Sequence, residues 1–237
     1  MSAPPAETRP EITKKSDPWT DLGLTLPIFA FYHLGVVLLP VRNAADMVTG
    51  ELRDLAKHSL PLYACLTLGI GAVFVAVLGM MGRKTAFEPK RFLFVGLEGG
   101  LYAVIMRFVG SYVVGSLRLA PSADETGPFG SIVMAMGAGF YEEVVFRVGI
   151  YGVGAAVLRK LFPKMAIPLM ALWGVAEACA FSAWHYSGGM SDAFDVKSFV
   201  FRATCGLFLT LIYQLRGFAP AVWTHTIYDI WVMVFDG

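Results

Sequence analysis

Charge is what this sequence has least of. Only 16% of its 237 residues are charged, and 19 Lys and Arg against 18 Asp and Glu leave a formal net charge of +1. That balance gives no support to nucleic acid as a partner, so charge matters here through its placement rather than its sum. Cysteine is scarce as well. Cys65, Cys179 and Cys205 are odd in number, lie in apolar runs and show neither pairing nor zinc-type spacing, so they are expected to be small buried hydrophobes. The first 20 residues lack the apolar core and small-residue cleavage site of a secretory signal peptide. Residues 1–21, rich in Pro and charge, read as a mobile tail, and 22–237 as one domain without an internal linker. No internal repeat is visible, which weakens a transporter built from duplicated halves.

What fills the chain instead is apolar: 56% of residues are hydrophobic and mean hydropathy is +0.61. A water-soluble domain cannot bury that much around one core, so the excess must face lipid. Crossing a bilayer takes about 20 apolar residues as a helix, and seven stretches qualify, near 22–41, 59–82, 92–117, 129–158, 165–187, 196–215 and 217–235. They are far longer than the alternating segments of about 10 residues in an outer-membrane barrel. The fold class is therefore all-α: a polytopic transmembrane bundle of about seven or eight helices enclosing a polar intramembrane cavity. An integral, multi-pass protein is expected, in the plasma or inner membrane of a bacterium or the endoplasmic reticulum of a eukaryote. Arg83-Lys84 and Lys90-Arg91 bracket the second and third spans. Together with the basic residues of the tail, the 159–164 loop and Arg216, they outnumber the about five on the opposite side and favour a cytoplasmic amino terminus.

Against this background, ionisable residues inside the spans are informative, since each costs about 2.5–3.5 kcal/mol on insertion scales. Three groups stand out. Glu142-Glu143 and Arg147 lie in the fourth span, Phe181 and His185 at the end of the fifth, and His225 and Asp229 in the last. Residues four apart share a helix face, so Glu143 can pair with Arg147 while Glu142, about 100° away around an α-helix, faces another neighbour. Asp229 can orient His225, and Phe181 can shield His185 or pack against a substrate. Each group has a structural alternative: an ion pair that specifies helix packing, an interfacial histidine, an interhelical polar clamp. Three clusters together favour a hydrolytic site, with base, water ligand and oxyanion donor on separate helices. Glu98 and Arg107 are nine residues apart and are expected to find partners on other helices. Glu177, two turns before His185, can flank the same cavity.

These residues resemble a known family. Glu142-Glu143-x-x-x-Arg147, Phe181-x-x-x-His185 and His225-x-x-x-Asp229 occur in the order and approximate separation of the motifs of the CAAX-protease and bacteriocin-processing family, which includes the type II CaaX prenyl endopeptidases. The resemblance covers about residues 129–235, and the first 120 residues match only as generic apolar helices. It implies a conical cavity open to the cytosol and a glutamate mechanism with no required metal or other cofactor. It also implies roles: Glu142 as the activating carboxylate, His185 helping to hold and deprotonate water, and His225 with residue 229 at the oxyanion. The third motif often ends in Asn. An ionised Asp229 cannot donate a hydrogen bond to an oxyanion, so Asp229 is expected to orient His225 and favour its protonated form, leaving the imidazolium as donor.

The reading is an endopeptidase that cleaves near the carboxyl end of a membrane-associated substrate. Its partners would be membrane lipids and a membrane-anchored or prenylated peptide or protein. A zinc-dependent membrane protease is the nearest rival, although the HExxH helix motif is absent. A non-catalytic scaffold or proton-coupled transporter using the same carboxylates is the alternative from another class. Nothing in the sequence sets the oligomeric state.

Overall fold

The computed structural model describes residues 17–39, 41–80, 88–115, 127–187 and 193–235. The expected tail over residues 1–16, Pro40 and the Arg83-Lys84 pair lie outside these. Among the described residues the chain is helical without strands. The helices are α1 (Pro18–Leu38), α2 (Met47–Leu55), α3 (Leu60–Met80), α4 (Pro89–Val114), α5 (Gly127–Gly137), α6 (Val153–Leu161), α7 (Ala166–Trp184), α8 (Val196–Leu215) and α9 (Phe218–Ile230). A π-helical segment, Ala138–Gly152, joins α5 to α6, and a second, Trp231–Phe235, continues α9.

Local sequence explains several of these ends. Helix α1 starts at Pro18 rather than near residue 22, because Asp17 accepts from the Trp19 and Thr20 N–H groups and proline suits the first helical position. Asp46 caps the short α2 in the same way, through Val48 and Thr49 at 2.9 Å each. Asp195 caps α8 through the Ser198 N–H at 2.8 Å.

Five helices (α1, α3, α4, the Pro163–Trp184 rod that contains α7, and α8) are long and apolar enough to cross a membrane. The two other expected spans, around 129–158 and 217–235, are helical throughout but change from α to π winding on the way. Many large apolar side chains point outward, among them Leu38, Leu97, Tyr112, Ile167 and Leu172. Such a surface fits lipid, not water. Only 12% of the α3 window is buried against 50% of the α1 window, which puts α3 on the outside of the bundle. Cys65 and Cys179 are exposed and only Cys205 is buried, which corrects the expectation of three core cysteines. A lipid-facing helix position is as apolar as a core one, so an apolar run cannot tell the two apart.

Helix α9 lies at the centre, packed against α4, α8, α5, α1 and the 138–152 segment. Its residues Ala219, Ala221, Val222 and Thr224 have no exposed surface. Asp21, early in α1, accepts from the Phe218 N–H at the start of α9, so the two helices begin at the same end of the bundle. Arg216 joins Glu98 of α4 at that end. This supplies the partner expected for Glu98 on another helix, and Arg107 lies over the Trp231 ring at 4.5 Å.

Close approach between α9 and the 138–152 segment depends on Gly139. A Cβ there would collide with the Thr226 side chain and come within 2.8 Å of the Thr226 backbone nitrogen. Since that backbone cannot yield without moving α9, Gly139→Ala is expected to cost about 1–3 kcal/mol. A thermal melt in detergent, compared with wild type, measures it; an unchanged midpoint would show that the two helices do not need this contact.

Candidate active site

The three polar groups named from the sequence converge around α9. Glu142 and Glu143 sit side by side in the π-helical segment, 6% and 0% exposed, and their carboxylates diverge. π-Helical winding is uncommon and is frequent at functional sites. It also replaces the α-helical angle on which the separation of the two glutamates was reckoned.

Glu143 faces the bundle interior. Its Oε2 lies 3.2 Å from Arg147 Nε, and its Oε1 accepts from His225 Nδ1 at 2.8 Å. Arg147 has no exposed surface and spends its other nitrogens on Glu177 Oε1 at 3.0 Å and the Gly206 carbonyl at 3.3 Å. Glu177 Oε2 in turn accepts from Thr210 Oγ1 at 2.7 Å. Glu177 is therefore the second carboxylate on Arg147, a role its sequence spacing did not reveal. The guanidinium carbon also lies 4.4 Å from the centre of the Phe181 ring. Phe181, 4% exposed, packs edge-on against Phe146, His185 and His225, so it shields the two imidazoles from lipid.

Glu142 faces the other way. Its Oε1 accepts from Asn43 Nδ2 at 3.0 Å, while its Oε2 has no hydrogen-bond partner among the described residues. That oxygen is 3.9 Å from His185 Nε2 and 3.9 Å from His225 Nε2. Both separations are too long for a direct hydrogen bond and suit a bridging water. His185 Nδ1 donates to the Phe181 carbonyl at 3.0 Å, so in the neutral ring Nε2 carries the lone pair on the side facing Glu142. The His185 and Asp229 side chains, 27% and 21% exposed, are the members of the cluster most open to the outside.

Asp229 departs from its expected place. It lies 3.4 Å from His225 Nε2, whereas the shorter bond, on Nδ1, belongs to Glu143. The shorter carboxylate contact of His225 is thus with Glu143, which reaches the ring from another helix, and Asp229 lies on the Nε2 side of the imidazole, as Glu142 does. Spacing within α9 could register only the i,i+4 neighbour.

A second polar group lies beside the first. His33 in α1 has no exposed surface and bridges Tyr141 at 2.7 Å and Tyr63 at 3.1 Å. Tyr32 donates to Asp46 at 2.7 Å and accepts from the Asn43 N–H at 3.1 Å. A histidine inside the first span was the available signal for His33. Asn43, in the loop after α1, carried none, because its contact is with a residue 99 positions away. No group of three His, Cys, Asp or Glu side chains with metal-site geometry occurs among the described residues.

The class defined by this arrangement is an all-helical membrane protein with a buried glutamate and histidine cluster on its central helices. Residues 125–231 match the family model described as Rce1-like, type II CAAX prenyl endopeptidase. That segment, a little under half of the chain, contains all three polar groups and is similar to the CAAX-protease family, a family of proteases. No curated protein and no solved structure matches the chain.

Arg147 holds two carboxylates in a buried interior, and removing it leaves Glu177 with the Thr210 hydroxyl and Glu143 with His225 in place of a guanidinium. Arg147→Met is expected to cost about 3–5 kcal/mol. Size-exclusion profiles and melting in detergent check this, and a stable, monodisperse variant would show that the guanidinium is dispensable to folding.

Proposed function

We propose that the chain is an intramembrane endopeptidase in which Glu142 is the general base, acting on a membrane-associated peptide or protein near its carboxyl end. The observation that carries the reading is the buried Glu142 Oε2, without a hydrogen-bond partner among the described residues and facing two imidazole Nε2 atoms at 3.9 Å each. A water held between Glu142 and His185 meets a carboxylate that can take its proton and a nitrogen that can accept or orient it. Attack on a peptide carbonyl then places negative charge on the carbonyl oxygen, and a donor must meet it.

His225 fits that task once doubly protonated. Its Nδ1–H is committed to Glu143, so only the imidazolium has a second N–H, on Nε2, to offer the oxyanion. With Glu143, Glu142 and Asp229 around the ring, the cationic form is the one whose donors match the surrounding acceptors. Asp229 then shares the Nε2 side with the developing oxyanion, and charge supplied by the imidazolium offsets its carboxylate. Departure of the amine needs a proton, which Glu142 can return after taking it from water. The family match supports a membrane protease in the coarse sense, and a prenylated carboxyl-terminal segment is the substrate class the family description suggests.

Glu142→Gln removes the base and nearly keeps the shape. Cleavage of prenylated and unprenylated membrane peptides by the purified protein in lipid is expected to fall at least about 100-fold. Wild-type activity is expected to survive a chelator. Loss with chelator and return with zinc would favour the metalloprotease. Cleavage retained by Glu142→Gln would remove the glutamate mechanism altogether.

We further propose a multi-pass arrangement with seven crossings: α1, α3, α4, the continuous 127–161 helix, α7, α8 and α9. Asn43 and His185 lie at the end of the bundle opposite the start of α1. A cytoplasmic amino terminus, as the basic flanks favour, and a cavity open to the cytosol, as the resemblance implies, therefore exclude each other. The charge bias favours a mouth on the non-cytoplasmic side. Reporter fusions at the two termini are expected to give opposite sidedness, with the amino-terminal one cytoplasmic; the reverse orientation would restore the cytosolic mouth.

A further inference from the structure

The segment outside the family match contributes to the cluster. We propose that Asn43, in the loop between α1 and α2, is a positioning residue that holds Glu142 with one carboxylate oxygen occupied and the other turned to the histidines; this rests on the reading of Glu142 as the base.

The geometry leaves the Asn43 amide no freedom. Its Oδ1 accepts from the Ala45 N–H at 2.8 Å, so the opposite end of the amide, Nδ2, must point at Glu142 Oε1, 3.0 Å away. Its backbone N–H donates to the Tyr32 hydroxyl, and that hydroxyl donates to Asp46 Oδ2. Asp46 Oδ1 is the N-cap of α2. Tyr32 has no exposed surface and packs edge-on against Tyr141, the residue before Glu142 in sequence. The loop is thus clamped at Asn43 from below by α1 and from the side by α2, and Asn43 itself is 6% exposed.

Two consequences follow. A neutral amide donor satisfies one oxygen of a buried carboxylate without adding a charge that would neutralise it, as Arg147 does for Glu143. The donor also restricts rotation of the carboxylate, so Oε2 is the oxygen presented to His185 and His225. A purely structural Asn43 would fasten the loop and leave turnover by the folded protein unchanged.

Turnover by Asn43→Ala separates the two roles, and Asn43→Asp tests the contact itself. It keeps the shape and the acceptor for Ala45 but turns a carboxylate toward Glu142, and two facing carboxylates resist joint ionisation. The readout independent of substrate is infrared titration, in which wild type minus Glu142→Gln isolates the Glu142 carboxyl band. The same difference is taken between Asn43→Asp and Asn43→Asp/Glu142→Gln. The expected result is a midpoint higher by at least about one pH unit in the Asn43→Asp background. With a cleavable prenylated peptide, Asn43→Ala is expected to lower kcat about 10- to 100-fold with little change in KM. Melting in detergent identifies the folded variants, and the isosteric Asp variant carries the test if the Ala variant does not fold. A Glu142 band that titrates as in wild type in folded Asn43→Asp overturns the inference. Cleavage that survives Glu142→Gln overturns the base assignment instead, and the infrared coupling between residues 43 and 142 is read separately from it.

Discussion

Arg147 lies inside the bundle with no exposed surface, and the arrangement of the cluster depends on how its charge is met. A buried guanidinium has to be surrounded by acceptors. Glu143 from its own helix, Glu177 from α7 and the Gly206 carbonyl from α8 supply them, so three helices are tied at one point. Glycine at 206 leaves room for this. A Cβ there would press on the Phe181 ring, which itself lies against the guanidinium. Because Glu143 is fixed by Arg147, it can in turn fix the His225 ring, and the imidazole presents its Nε2 in one direction only.

The two neighbouring glutamates are chemically identical and differ entirely in surroundings. Glu143 meets a full positive charge and an imidazole, and is consumed by them. Glu142 meets one amide donor and two imidazole nitrogens just beyond hydrogen-bond reach. A carboxylate so placed is held without being spent, which suits the general base proposed for it. Burial, charge pairing and the π-helical winding of residues 138–152 together divide the pair into one member tied to Arg147 and His225 and one turned toward Asn43 and the two histidines.

Two glycines let neighbouring helices close around this small volume. Glycine at 139 brings the 138–152 segment against α9 at Thr226, next to His225. Glycine at 99 lets α4 lie against the Trp223 and Thr224 backbone on the other side of α9. Without a strong hydrophobic drive between helices in lipid, such close contacts supply packing energy. The polar cluster adds specificity, since an unmatched charge there costs several kcal/mol.

The sequence by itself determined the membrane class, the all-helical fold and the three polar groups, because an ionisable residue in an apolar run is costly and conspicuous. It also determined the Glu143 and Arg147 pair, since helical periodicity makes four-residue neighbours predictable. Only the tertiary structure decided which carboxylate holds which nitrogen. Glu143 rather than Asp229 takes His225 Nδ1, Glu177 completes the shell of Arg147, and Asn43 reaches Glu142 across 99 positions. These are contacts between helices, and periodicity within one helix carries no information about its rotation against the next. The outward Cys65 and Cys179 follow the same rule: lipid and core are equally apolar, so hydropathy marks a helix as buried in something without saying in what.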